Sequence, residues 1–404
     1  MNIFYLIFIM LTAYYSFRYD RIEEYDPHKQ HRLWLICFYL ICLSGFSYGL
    51  GGDKFAYMEY FEDYPTTFSE TSNFVWLQFL IYGHMPLWTL LNIFAKVVFN
   101  SFYAVQFIES IFINIAVCYL VSKYTHRYFL FLLVYFFSLQ FFIFNTEVMR
   151  EGCAMAFMLI GMHGWLINKK WLFFLCLPIA FLFHVSVVAA LLLPFANFRV
   201  TRNSLFYGVA LSFFVWLLSD LILARIMFSV LGGRGAMVQK VLTYAIMGNN
   251  IFGYARSVIT YLIFPFIIMY SVIQNEEDSE KRRLKEKMLA YTLIMGIMAS
   301  SFTGLIRLYN YTRIFYLIML SDFIYTLFQQ KKHLIIRCTT LMGTIFLIAL
   351  QYMIPYRLTN TRYYDFFYPY TCILHEDKSV YIRDIAHKEA VIDETEDDNV
   401  RDIE

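Results

Sequence analysis

The sequence predicts an all-α polytopic membrane protein: about ten spanning helices plus two interrupted helical stretches, re-entrant or short hairpins, lining an outward-facing cavity. Three observations predict it. Hydrophobic residues make up 59% of the 404 and charged residues only 16%, with a mean hydropathy of +0.53, far from a soluble globular composition. Apolar runs of about 20 residues, the length that crosses hydrocarbon, recur along nearly the whole chain. Lysine and arginine collect in the connections that one topology places on a single face.

Taken in order, apolar runs bounded by charge predict spans near 2–17, 33–50, 102–122, 128–146, 152–168, 203–225, 257–274, 288–306, 314–329 and 334–354. The first run has no basic leader and no A-x-A-like cleavage site, and Arg18 and Arg21 follow it directly, so it reads as a retained span with its N-terminus outside. Two further stretches, 74–99 and 171–197, are too long for one span and too short for two. Gly83-His84-Met85-Pro86 interrupts the first, and His184-Val185-Ser186 the second.

Treating both as hairpins puts the basic clusters at 18–32, 123–127, 169–170, 199–202, 281–287 and 331–337 on one face. That face then holds eighteen of the 33 Lys and Arg residues. Counting 74–99 as an ordinary span would place Lys123, Arg127, Lys169 and Lys170 outside, against the positive-inside rule. Non-helical backbone at membrane depth survives only where protein or water satisfies it, so His84 and His184 are expected to line a cavity. One long tilted helix for each stretch is the plainer alternative. The outer face then carries loops at 51–73, 147–152, 226–256 and 307–313, and the segment after 354.

Residues 1–374 read as a single integral membrane domain. From His375 onward eleven acids face four bases, a composition that cannot bury enough apolar surface to fold alone, so 375–404 reads as an acidic, disordered tail. The seven cysteines show no C-x-x-C pair and no His/Cys cluster at zinc spacing, so neither a metal nor another cofactor is expected. The net charge of +2 and the lack of a basic, aromatic-interleaved surface stretch give no case for nucleic acid. Walker loops, G-x-S-x-G elbows and H-E-x-x-H pairs are also missing, which leaves a nucleotide-driven pump or zinc protease without support.

Three arginines lie on the face where positive charge is disfavoured. Arg150 sits in the turn NTEVMREG, and Arg307 and Arg313 bracket RLYNYTR. A guanidinium beside hydrocarbon usually faces a cavity or an anion, and several could grip a pyrophosphate leaving group through paired hydrogen bonds. Ion pairing of Arg150 with Glu147 or Glu151 is the plainer reading. His184 follows an apolar run, where an imidazole can take a proton from a sugar hydroxyl near neutral pH, or can serve only as a hydrogen bond between helices. The same choice holds for His84, His126 and His163. The first outer loop sets five acids and several tyrosines against one base, Lys54. Carboxylates and ring faces suit carbohydrate, although Tyr crowds membrane interfaces in any case.

The order of these features resembles the EpsG family of exopolysaccharide proteins, relatives of Wzy-type O-antigen and capsule polymerases, across most of residues 30–375. The resemblance rests on G-x-D-x-x-x-Y at Gly51 to Tyr57, Met85-Pro86-Leu87-Trp88, MREGCAMAF, Phe183-His184-Val185-Ser186, RLYNYTRIFY with Tyr309 at its centre, and Pro369-Tyr370. It implies a metal-independent glycosyltransferase that uses undecaprenyl-pyrophosphate-linked glycans. Asp53 and Tyr57 would then lie in the donor or acceptor pocket, with Arg150 as the family arginine and His184 as the family histidine.

The resulting expectation is a polymerase of lipid-linked oligosaccharide repeat units at the outer face of the bacterial cytoplasmic membrane, in exopolysaccharide, capsule or O-antigen synthesis. His184 or Asp53 would be the base, and Arg150, Arg307, Arg313, Tyr57 and Tyr309 would hold substrate. Membrane lipid, a flippase and a chain-length regulator are the expected partners. A transporter built on broken helices, a membrane O-acyltransferase and a structural assembly subunit are the alternatives.

Overall fold

A computed structural model of the protein describes residues 3–218, 251–329, 342–343, 362–374 and 378–388. Most of the expected span at 334–354, the body of the 226–256 loop and the tail beyond 388 lie outside the described residues. In chain order α1 is Ile3–Tyr19, α2 Pro27–Gly45, α3 Asp53–Glu62, α4 Thr71–Tyr82, α5 Pro86–Phe99, α6 Phe102–Tyr124, α7 Tyr128–Phe137 and α8 Gln140–Glu147. There follow α9 Met149–Leu166, α10 Lys170–Phe181, α11 Arg202–Leu218, α12 Ile251–Gln274, α13 Ser279–Ser301, α14 Asn310–Gln329, α15 Tyr363–Phe367 and α16 at 378–388. Tight 3₁₀ turns run over Phe68–Glu70, Val185–Phe195 and Thr303–Tyr309. Among the described residues the architecture is all-α, with one isolated antiparallel bridge, Ser47 to Cys372.

By length and apolarity α6 and α12 can each cross a membrane, and α7 with α8 forms a third span if the bent pair counts as one. Among the described residues, length and apolarity thus single out two or three candidate crossing helices of the ten expected, beside five shorter apolar helices. The expected straight span at 128–146 is in fact broken by 78° between α7 and α8. Leu139 sits at the break with φ +62°, a left-handed conformation that disfavours continuing a helix, and α8 ends in a π turn over Ile143–Glu147. The expected open loop at 51–73 is likewise folded, with α3 at its centre.

The described residues group into two compact units. Unit 1 takes Met1–Thr71, Leu90–Ala156 and Ile324–Glu404. Its expected inner connections form a polar clasp. Asp20 accepts the N–H groups of Phe129 (3.2 Å) and Leu130 (2.8 Å), capping α7 from another segment. Arg127 donates to the Asp20 carbonyl and the Glu23 carboxylate, and lies 3.6 Å from the centroid of the Tyr325 ring. Lys29 donates to the carbonyls of Ile22 and His126, both at 2.6 Å. Burial raises the Asp20 carboxyl to about 6 and lowers the Lys29 ammonium to about 8.

Helices α2 and α6 pack through small and amide side chains, as helix pairs in lipid do. The Ser44 and Ser110 hydroxyls are 2.5 Å apart, and Gln106 Nε2 donates to the carbonyls of Ser44, Gly45 and Ser47 at 2.7, 2.8 and 2.9 Å. The chain after α2 is then zipped to the C-terminal segment. Tyr48 N–H reaches Thr371 O (2.9 Å), Gly51 N–H reaches Phe366 O (3.1 Å) and Ile373 N–H reaches Phe46 O (3.0 Å). Residues 378–388 form α16, which packs Arg383, 1% exposed, into unit 1. Arg383 and His387 are buried and Val380 lies against Gly49, while Asp384, the one acid of α16, is half-exposed, so one face of a short helix gains the burial that composition alone does not reveal.

Unit 2 takes Ser72–Thr89 and Phe157–Phe323, and it holds both interruptions. Gly83 adopts φ +63° and ends α4, while α10 ends at Phe181 ahead of His184 in extended backbone. The two breaks meet: Leu87 N–H donates to Leu182 O at 2.9 Å. A backbone group released by one broken helix is thus satisfied by the other, the condition for irregular backbone at membrane depth. His84 is buried beside this junction. Helices α11 and α13 are joined through Ser212 and Ser300 (2.7 Å) and through Ser301 to the Ser212 carbonyl (3.0 Å).

Candidate functional site

The G-x-D turn of unit 1 is built against the end of α8. Glu147 Oε2 accepts the Gly52 N–H at 2.7 Å. Gly51 has φ +83°, and a Cβ there would meet Thr146 O at 2.7 Å and Glu147 Oε2 at 2.9 Å, so only glycine allows this approach. Helix α3 starts immediately, with Asp53 in its first turn. Asp53 and Tyr57, four residues apart, share one face of α3.

Arg150 lies in the first turn of α9. Its guanidinium carbon is 5.5 Å from the Tyr57 ring centroid, and it interacts with the Tyr57 hydroxyl, with Asp53 and with Tyr64. Glu147 serves Gly52, and Arg150 meets Tyr57 and Asp53 of α3. Arg150 Nε is buried with no hydrogen-bond partner among the described residues. A buried guanidinium N–H beside a helix N-terminus is a donor suited to an anion.

Beneath this set Lys54 is fully buried, its Nζ donating to Ser47 Oγ at 2.8 Å. Burial pulls its ammonium down to about 7, with Glu109 acting in the opposite direction and Arg383 adding to the fall. Both Glu109 carboxylate oxygens are buried without a hydrogen-bond partner among the described residues. Lys54 was visible as the single base of its loop, but nothing in its spacing marks it as buried.

Unit 2 holds the second set. His184 is the N-cap of the Val185–Phe195 turn, and its Nδ1 accepts the Ser186 N–H at 3.2 Å and meets Ser186 Oγ at 2.6 Å. Ser186 Oγ lies 2.9 Å from the Tyr311 hydroxyl. With Nδ1 occupied as acceptor, the neutral imidazole carries its proton on Nε2. The RLYNYTR segment, expected as a turn, is the end of a 3₁₀ turn running into α14. There Tyr309 is buried with its ring 4.9 Å from Tyr261, Arg313 is half-buried near both tyrosines, and Arg307 is exposed. Tyr261 escapes a sequence reading because no motif marks it, while Ser186 and Tyr311 lie within the F-H-x-S and RLYNYTR motifs but were assigned no role there.

The structure therefore assembles Asp53, Tyr57 and Arg150 in unit 1, and His184 with Tyr311, and Tyr309 with Arg313, in unit 2. Among the described residues no three His, Cys, Asp or Glu side chains stand together as metal ligands would. No curated protein and no solved structure matches the chain. The sequence of residues 32–372 does match a family of Wzy-like polymerases, and the match spans all the motifs described above. With apolar helices that can cross a membrane, the chain is a membrane protein and belongs to the EpsG family.

Proposed function

We propose that the protein is a polysaccharide repeat-unit polymerase, a glycosyltransferase of about ten spans that joins undecaprenyl-pyrophosphate-linked oligosaccharides on the outer face of the bacterial cytoplasmic membrane. The observation that carries this reading is Arg150, on the first turn of a helix beside Tyr57 and Asp53: its Nε is buried and has no hydrogen-bond partner among the described residues. Such a group stabilises the negative charge that grows on a departing pyrophosphate.

Asp53 is the base in this scheme. The acceptor hydroxyl gives its proton to the Asp53 carboxylate, its oxygen bonds to the anomeric carbon of the donor, and the bond from that carbon to the pyrophosphate oxygen breaks. Undecaprenyl pyrophosphate leaves with the bonding electrons. The energy resides in the donor's phosphoester, so the step needs no nucleotide. His184, whose Nε2–H points its donor away from the Ser186 cap, is a hydrogen-bond donor to substrate, and Arg313, Arg307 and Tyr309 supply further donors to phosphate or sugar oxygens. A flippase and a chain-length regulator complete the machinery.

The test is the length distribution of surface polysaccharide in a deletion strain complemented with wild type or Arg150→Ala. Single repeat units in the deletion strain, and no ladder from an Arg150→Ala protein that inserts normally, support polymerisation and the anion role. Long polymer in a deletion strain that has no second polymerase gene removes the reading. The joined breaks at Leu87 and Leu182 would then favour a transporter.

A further inference from the structure

We propose that Arg383, on α16, is a positioning residue for the Asp53, Tyr57 and Arg150 set, acting by fixing the turn from which α3 starts. The inference rests on the polymerase reading above. Helix α16 lies beyond residue 372, where the family match ends.

The Arg383 side chain is almost wholly buried and distributes its donors over the polypeptide that frames the turn. Nη1 donates to Gly49 O (2.9 Å) and Thr371 Oγ1 (3.0 Å), Nε to Asp365 O (2.9 Å) and Nη2 to Pro369 O (2.5 Å). Thr371 Oγ1 in turn bonds the Tyr48 carbonyl. Gly49 has φ +53°, and a Cβ there would meet Val380 Cγ1 of α16 at 2.6 Å. The Phe55 ring of α3 stacks on His387 with centroids 6.0 Å apart.

A turn with glycines 49 and 51 in left-handed backbone has no helical ladder of its own, so its course is set by whatever satisfies its carbonyls. One planar guanidinium binds Gly49, Asp365, Pro369 and Thr371 at once. An ammonium, a point charge on a flexible stem, cannot hold four acceptors in that fork. Two residues past Gly51 lies Asp53 and four further Tyr57, so a shift in the turn moves both relative to Arg150. Misplacement of reacting groups by about 1 Å costs on the order of a hundredfold in rate.

The test uses full-length Arg383→Lys and Arg383→Met in lipid nanodiscs, with the lipid-linked repeat unit extracted from the deletion strain as substrate and hydrogen–deuterium exchange followed in parallel. We expect kcat to fall about tenfold or more with KM changed by less than about threefold. We also expect faster exchange over 46–57 and unchanged exchange over 102–124. Wild-type kcat and KM in both variants overturn the proposal, as does lost activity with unchanged exchange over 46–57. If Arg383→Met does not fold, Arg383→Lys carries the test; loosening of 102–124 together with 46–57 in Arg383→Lys marks a merely structural role and also overturns it. Failure of the wild type to make polymer sinks the polymerase reading instead, and the exchange data then decide separately whether Arg383 holds the turn.

Discussion

Glu147 reaches from the last turn of α8 to accept the backbone N–H of Gly52 at 2.7 Å, across 95 residues of sequence. A side chain acceptor three residues before Arg150 thereby fixes the start of the helix that carries Asp53 and Tyr57. Replacing it with alanine leaves a buried N–H unsatisfied, at about 1–3 kcal/mol. Glu147→Ala is expected to shorten the polysaccharide ladder and lower the melting temperature, whereas Glu147→Gln, whose amide oxygen still accepts, should retain most of both.

Gly51→Ala tests the same junction from the other side. Its φ of +83° and the 2.7 Å approach of Thr146 O to a Cβ combine backbone strain of about 1–3 kcal/mol with a clash against backbone. Loss of long polymer is expected even where immunoblots show normal membrane levels. Gly52→Ala, at φ −79°, should be milder, and equal defects in the two would discount the conformational argument.

Lys54 gives a pH dependence with a definite sign. In the fold its ammonium titrates near 7, against an ordinary value of 10.5. Between these values the unfolded chain holds a proton that the fold does not, so stability rises with pH across that window and is flat below it. The melting temperature of the solubilised wild type should therefore climb between about pH 7.5 and about pH 9.5 relative to Lys54→Met. Parallel curves would show that the ammonium is not held in the apolar site.

His184→Asn separates capping from chemistry. Asparagine can accept the Ser186 N–H as histidine does, but it lacks a donor at the Nε2 position. Normal insertion and melting, with polymer synthesis reduced about tenfold or more, is the expected outcome if Nε2–H meets substrate. Wild-type polymer from His184→Asn would reduce the residue to an N-cap.

The helical class and the two interruptions were legible because they rest on periodicity, glycine and proline. Gly83 and Pro86 do punctuate one stretch, and His184 does open a new turn in the other. The 78° break in the 128–146 segment was not legible: Ser138-Leu139-Gln140 contains no glycine or proline, and tertiary packing holds Leu139 in a conformation its own propensity disfavours. In the site, Gly51, Asp53, Tyr57 and Arg150 stood out through motif spacing and misplaced charge. Lys54, Glu147 and Arg383 did not: Lys54 matters through its burial, Glu147 through Gly52, 95 residues away, and Arg383 through Gly49, 334 residues away, and through burial of a face that composition averages out. Arg383 was hidden by the acids around it, which made the whole segment read as solvated.

Tyr5 and Phe367 supply a last consequence, one about assembly in time. The Tyr5 hydroxyl, buried in α1, donates to the Phe367 carbonyl at 3.0 Å, a contact 362 positions apart, and unit 1 takes its third piece only from Ile324 onward. Every residue of unit 2 is synthesised before that piece. At about 5–20 residues per second, the earliest helix waits many seconds for the acceptor that completes its surroundings. Unit 1 therefore closes only once this late segment is made, and a nascent chain stalled before residue 367 leaves it unfinished however well its apolar segments have inserted.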